Sequence, residues 1–80
     1  MPTVLKIQNL RFYFYANDHE PIHVHIKGGG AMAKVILDPT IEIVESSGFS
    51  PKDKREIKKI CRIYQSYLID QWEVFFDDQD

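Results

Sequence analysis

Between Ile22 and Leu37, a set of apolar residues occupies every second position on either side of Gly28-Gly29-Gly30. Few backbones accommodate that pattern. In a strand, residues two apart share a face, so Ile22, Val24 and Ile26 point one way and His23 and His25 the other. Glycine reaches positive φ without steric cost, which suits the reversal. With Gly29-Gly30 as a two-residue turn, Ile26 faces Ala33, Val24 faces Val35 and Ile22 faces Leu37. A slip of one residue would send all of these side chains to the wrong face, so the register is strongly specified.

The flanking segments extend the same sheet. Leu5 and Ile7 alternate with Val4 and Lys6, and Gln8-Asn9 fits a two-residue turn, asparagine tolerating positive φ. That turn pairs Ile7 with Leu10 and Leu5 with Phe12. From Leu10 to Ala16 the chain alternates again, Leu10, Phe12 and Phe14 inward and Arg11, Tyr13 and Tyr15 outward. Asp38-Pro39 turns the chain, and Thr40 to Glu45 supplies a fifth strand with Ile41 and Ile43 inward. Ser50-Pro51, with Asp53 three residues after the cap, starts a helix. Ile57, Ile60, Cys61, Tyr64, Tyr67, Leu68, Trp72 and Phe75 follow the helical template and are expected in the core. The expected architecture is α+β: an antiparallel β-meander of four to five strands with one long C-terminal α-helix packed on one face. It forms a single domain over 1–80, with the sheet in 1–45 and the helix in 50–77.

A helix of roughly 25 residues would run near 37 Å, longer than such a sheet is wide. Ile63, Ile69 and Val74 fall off its main stripe, which predicts a homo-oligomer or a hetero-partner meeting the surplus surface. No apolar run approaches the ~20 residues of a membrane span. The start Met1-Pro2-Thr3 lacks a charged region followed by an apolar one, and the lone Cys61 has no internal disulfide partner. A reducing cytoplasm is the expected compartment. The formal charge of −2 gives no global pull toward nucleic acid or anionic lipid.

Local charge is more informative than the total. Placing Tyr13 opposite His25, Arg11 opposite Lys27 and Tyr15 opposite His23 gathers Lys6, Arg11, Tyr13, Tyr15, His23, His25, Lys27 and Lys34 on the outer face of the sheet. No acidic residue is expected among these strand positions. Such a face suits acid–base chemistry on RNA: His23 and His25 would move protons while Arg11 and Tyr13 complete the catalytic set. It equally suits binding without chemistry, with Tyr15, Lys27, Lys34 and Lys6 holding a nucleic acid or another partner. His-x-His on a strand can also present two imidazoles to a transition ion. A metal-free site is the preferred expectation. Were an ion bound, His23 and His25 would need a third ligand from Asp18, His19 or Glu20, and His19 is the one expected.

Simpler explanations apply to several of these features. Exposed His-x-His strands are often merely tolerated, and Cys61 on the apolar stripe is a core thiol before it is a nucleophile. The basic run of the helix (Lys52, Lys54, Arg55, Lys58, Lys59 and Arg62) reads as a solvated face. Gly28-Gly29-Gly30 has no Lys-Ser/Thr after it, so it is a hairpin turn and not a phosphate loop. No cofactor is expected.

Met1-Pro2-Thr3-Val4, Arg11-Phe12-Tyr13-Phe14-Tyr15, His19-Glu20-Pro21-Ile22-His23-Val24-His25, Ala33-Lys34-Val35 and Trp72 together resemble a family of small bacterial proteins, domain of unknown function 4160. The acidic-Pro-x-His-x-His segment is the most specific part. Where the usual pattern has Pro-Pro-His, this chain has Pro21-Ile22-His23. The resemblance implies a gene pair with another small domain, of the kind proposed to be toxin–antitoxin modules. It carries over no established catalytic residue. Two functions are therefore expected to compete: a ribonuclease-like toxin acting through the His-x-His face, or a non-catalytic module docking a protein or nucleic acid there.

Overall fold

A computed structural model describes residues 3–77. Five strands, β1 (Thr3–Ile7), β2 (Leu10–Tyr13), β3 (His23–Gly28), β4 (Ala31–Ile36) and β5 (Glu42–Ser47), precede two helices, α1 (Pro51–Ile63) and α2 (Gln65–Asp77). The strands form one antiparallel sheet in the order β1-β2-β3-β4-β5. The α+β class and the meander are as expected, and so are the inner registers. Leu5 pairs with Phe12 and Ile7 with Leu10, Val24 with Val35 and Ile26 with Ala33, while the Leu37 amide donates to the Ile22 carbonyl at 2.9 Å. Gly29 and Gly30 both take positive φ, 55° and 82°, as a primed hairpin turn requires. In the Gln8-Asn9 turn the left-handed residue is Gln8 at φ 57°, not Asn9.

One long helix is not what forms. Tyr64 leaves helical geometry at φ −103°, ψ 16°, although its amide still donates to Ile60 (3.0 Å) and its carbonyl still accepts from Leu68 (2.8 Å). The break falls where the packing changes from one edge of the sheet to the other. α1 lies against β5 and α2 against β1, so the helical segment crosses the strands. At the bend, the Gln65 side-chain amide donates to the Leu37 carbonyl at 2.7 Å. Tyr64 and Tyr67, expected in the core, are instead 36% and 42% exposed. Tyr67 hydrogen-bonds the Val4 carbonyl of β1 at 2.7 Å, so it serves an edge strand. Ile63 and Val74 are exposed, but Ile69 packs against the core.

The start of α1 follows the sequence closely. The Ser50 hydroxyl accepts from the Asp53 amide (3.1 Å), and the Asp53 carboxylate accepts from the Ser50 amide (3.3 Å), which is a capping box. Phe12, Phe14, Val24, Ile26, Ala33, Val35 and Leu37 from the sheet segment meet Ile57, Ile60, Cys61, Leu68 and Trp72 from the helices in one core.

Burial pushes the Cys61 thiol up from 9.0 to about 12. A thiol raised in the folded state holds its stabilising contribution below the unfolded value and loses it as pH climbs toward the folded one. Stability should therefore fall by about 1 kcal/mol between pH 9 and pH 10 through this group alone. Urea titrations of the native chain and of Cys61→Ala at both pH values measure it. The variant is expected to have the flatter profile, and identical profiles would contradict the assignment.

Candidate functional site

β3 places His23 and His25 on the side away from Val24 and Ile26, as alternation requires, but not in solvent. They are 3% and 9% exposed. The expected solvent-facing pair is thus a buried pair. The cover comes from the chain between β2 and β3. β2 stops at Tyr13, short of the expected Ala16, because the next residues turn over the sheet. The Asp18 amide donates to the Tyr15 carbonyl at 3.1 Å, and the Tyr15 amide donates to Asp18 Oδ2 at 2.9 Å. This reciprocal turn is what aspartate in a turn-rich segment offers, and it hangs the Asp18 carboxylate above the imidazoles.

Both rings aim Nε2 at that carboxylate. His25 Nε2 lies 3.1 Å from Asp18 Oδ1 and 3.2 Å from Oδ2, and His23 Nε2 lies 3.3 Å from Oδ1. On the far side of its ring, His23 Nδ1 lies 2.8 Å from the Pro21 carbonyl. A carbonyl only accepts, so Nδ1 carries the proton. Burial alone would raise the Asp18 carboxyl. The Tyr15 amide, the hydrogen bond from His25 and the nearby imidazoles outweigh that and hold it below the usual range.

Aromatic rings close the sides. Tyr13 stacks on His25 at 5.6 Å, Tyr15 meets the same ring edge-on at 4.5 Å, and Trp72 reaches His23 at 5.2 Å. The expected Tyr15–His23 pairing is therefore replaced by contact with His25. Tyr13 is 1% exposed, and its hydroxyl lies buried without a hydrogen-bond partner of ordinary geometry. Burial first, then the neighbouring Tyr15 hydroxyl, push this phenol up to about 12. Since a buried hydroxyl without a partner costs stability, Tyr13→Phe is expected to be neutral or stabilising by up to about 1 kcal/mol in thermal unfolding.

The remaining expected site residues divide by burial. Lys6 pairs across the ladder with Arg11, and Arg11 with Lys27; all three are exposed. Arg11 and Lys27 flank the Tyr13 ring at 5.6 and 5.7 Å. Lys34 does not extend an acid-free patch, because a register shift in the β4–β5 ladder brings Glu45 opposite it. His19, expected as a third metal ligand, is exposed. Among the described residues Asp18 completes the cluster with His23 and His25, their ligand atoms lying within 4.8 Å of one another. The signal for Asp18 was the turn composition of Asn17-Asp18-His19-Glu20-Pro21.

The family model for Domain of unknown function (DUF4160) matches residues 9–73. The chain belongs to this family. The matched span holds both histidines, Asp18, Arg11, Lys27 and Trp72, so the whole covered site lies within the DUF4160 domain. No curated protein and no solved structure matches it significantly. No helix among the described residues is long and apolar enough to cross a membrane.

Proposed function

We propose that this domain is a non-catalytic docking module, the partner-binding half of a two-gene, toxin–antitoxin-like system, and that its sheet face takes an acidic surface of the small protein encoded beside it. One observation carries this reading: Lys6, Arg11 and Lys27 stand directly across from one another on three adjacent strands, exposed. Like charges in facing positions destabilise a sheet, and among the described residues none of the three is held in an ion pair. Arg11 and Lys27 gain a cation–π contact with the Tyr13 ring but no counter-charge, which a carboxylate-bearing partner would supply. Met32 continues the rung on β4, opposite Lys27 and 40% exposed, and supplies an apolar contact beside the charges.

A ribonuclease-like toxin has weaker support. Imidazoles that exchange protons with RNA must reach it, and here both are buried and turned toward Asp18. Base stacking on Tyr13 is blocked, since His25 lies along the ring and the tyrosine is 1% exposed.

Titration calorimetry against the neighbour-encoded protein tests the proposal. The chain carrying Lys6→Glu, Arg11→Glu and Lys27→Glu together should bind about a hundredfold more weakly while melting within a few degrees of wild type. Binding by wild type should also weaken as salt rises. RNA cleavage by the isolated chain, abolished by His25→Ala in protein that remains folded, would overturn it.

A further inference from the structure

We propose that Asp18, His23 and His25 bind a first-row divalent cation of the zinc class, which clasps the loop after β2 to strand β3. Each residue presents one ligand atom, and the three lie within 4.8 Å of one another. The 3.1 Å from His25 Nε2 to Asp18 Oδ1 and the 3.3 Å from His23 Nε2 to the same oxygen are close to the spacing around a tetrahedral ion. Two ligand atoms about 2.0–2.1 Å from such an ion stand roughly 3.3 Å apart.

The orientation of His23 makes the stronger case. Its Nδ1–H donates to the Pro21 carbonyl at 2.8 Å, which turns Nε2 toward an Asp18 carboxylate oxygen 3.3 Å away in a buried setting. His25 Nε2 converges on the same oxygen at 3.1 Å. A divalent cation between them uses both imidazole nitrogens and the carboxylate together. The Pro21 carbonyl then acts as the outer partner that metal-bound imidazoles habitually keep, fixing ring orientation and tautomer.

Donor type narrows the ion. Two imidazoles and one carboxylate favour zinc, cobalt or nickel over calcium or magnesium, which select oxygen donors. Three protein ligands leave one position for water. Tyr13 stacks on the His25 ring, and its own hydroxyl is buried without a hydrogen-bond partner of ordinary geometry, so an unsatisfied polar group belongs to the same covered unit. None of the ligands belongs to the Lys6–Arg11–Lys27 rung, so the site stands or falls independently of the docking proposal.

The test uses the full chain, stripped by chelator and then titrated with zinc and with cobalt(II). One equivalent should bind, cobalt(II) should show tetrahedral d–d absorption, and zinc at a hundredfold excess over Kd should raise Tm by about 10 °C or more. Asp18→Asn, His23→Gln and His25→Gln should each weaken binding by about a hundredfold or more, while His19→Ala binds as wild type. If a ligand variant does not fold, the imidazole nitrogen spectrum of wild type decides. A zinc-dependent change at both Nε2 atoms with the His23 Nδ1 proton retained supports the site. Unchanged Nε2 signals, no stoichiometric binding, or loss of binding on His19→Ala overturns it.

Discussion

Trp72→Ala should leave the chain largely unfolded at room temperature. Trp72 is 6% exposed and holds three different parts of the molecule together: Phe14 edge-on at 5.4 Å, Phe76 of its own helix at 4.3 Å and His23 of β3 at 5.2 Å. Truncating a buried aromatic of this size costs about 3–5 kcal/mol. A domain of this length holds only roughly 4–12 kcal/mol in total. The bend at Tyr64 adds to the dependence, because Leu68 and Trp72 are the buried residues of α2. Chemical denaturation monitored by circular dichroism measures the loss. A variant with an unchanged midpoint would mean that α2 is not anchored here.

His23→Ala is expected to cost about 2–4 kcal/mol, and His25→Ala a comparable amount. Alternation alone suggests under about 1 kcal/mol for residues on an outer face. Burial changes the expectation. Removing the His23 ring opens a cavity beside Trp72 and takes a hydrogen-bond donor from the Pro21 carbonyl, and removing His25 strips the Asp18 carboxylate of its bond from Nε2 while exposing one side of Tyr13. Each loss combines a packing term with an unsatisfied polar group in a covered site. Urea unfolding of the two variants in metal-free buffer supplies the values. Costs under 0.5 kcal/mol (about the range of ordinary surface positions) would show that the loop does not close over the pair.

The difference between those two figures marks where the sequence stops being informative. Registers were legible because short turns fix them. Gly29-Gly30 and Gln8-Asn9 each leave one pairing that matches apolar to apolar, and the observed partners are those. The capping box of α1 was legible for the same reason, being local. What could not be read depends on distant parts meeting. The break at Tyr64 falls where helix packing passes from β5 to β1, and Tyr64 and Tyr67 match the helical template yet lie outside the core. Glu45 reaches Lys34 only through a register shift in the last ladder. The covering of His23 and His25 combines the reciprocal Tyr15–Asp18 turn with the Tyr13, Tyr15 and Trp72 rings that close its sides. A turn-rich composition announces that a turn exists there, but not where its carboxylate will point.

Burial also separates the roles within the site. The histidines, Asp18 and Tyr13 make a covered unit, while Lys6, Arg11, Lys27 and Met32 form an exposed, charged and partly apolar rung, the face proposed to dock a partner. Amide chemical shifts of the isotope-labelled chain, recorded during titration with the neighbour-encoded protein, distinguish this surface from every other. The largest changes should fall on Lys6, Arg11, Lys27 and Met32, with α1 and the exposed Ile63 and Val74 unaffected. Changes confined to the basic run of α1, or to the Ile63 and Val74 surface, would contradict a docking face on the sheet.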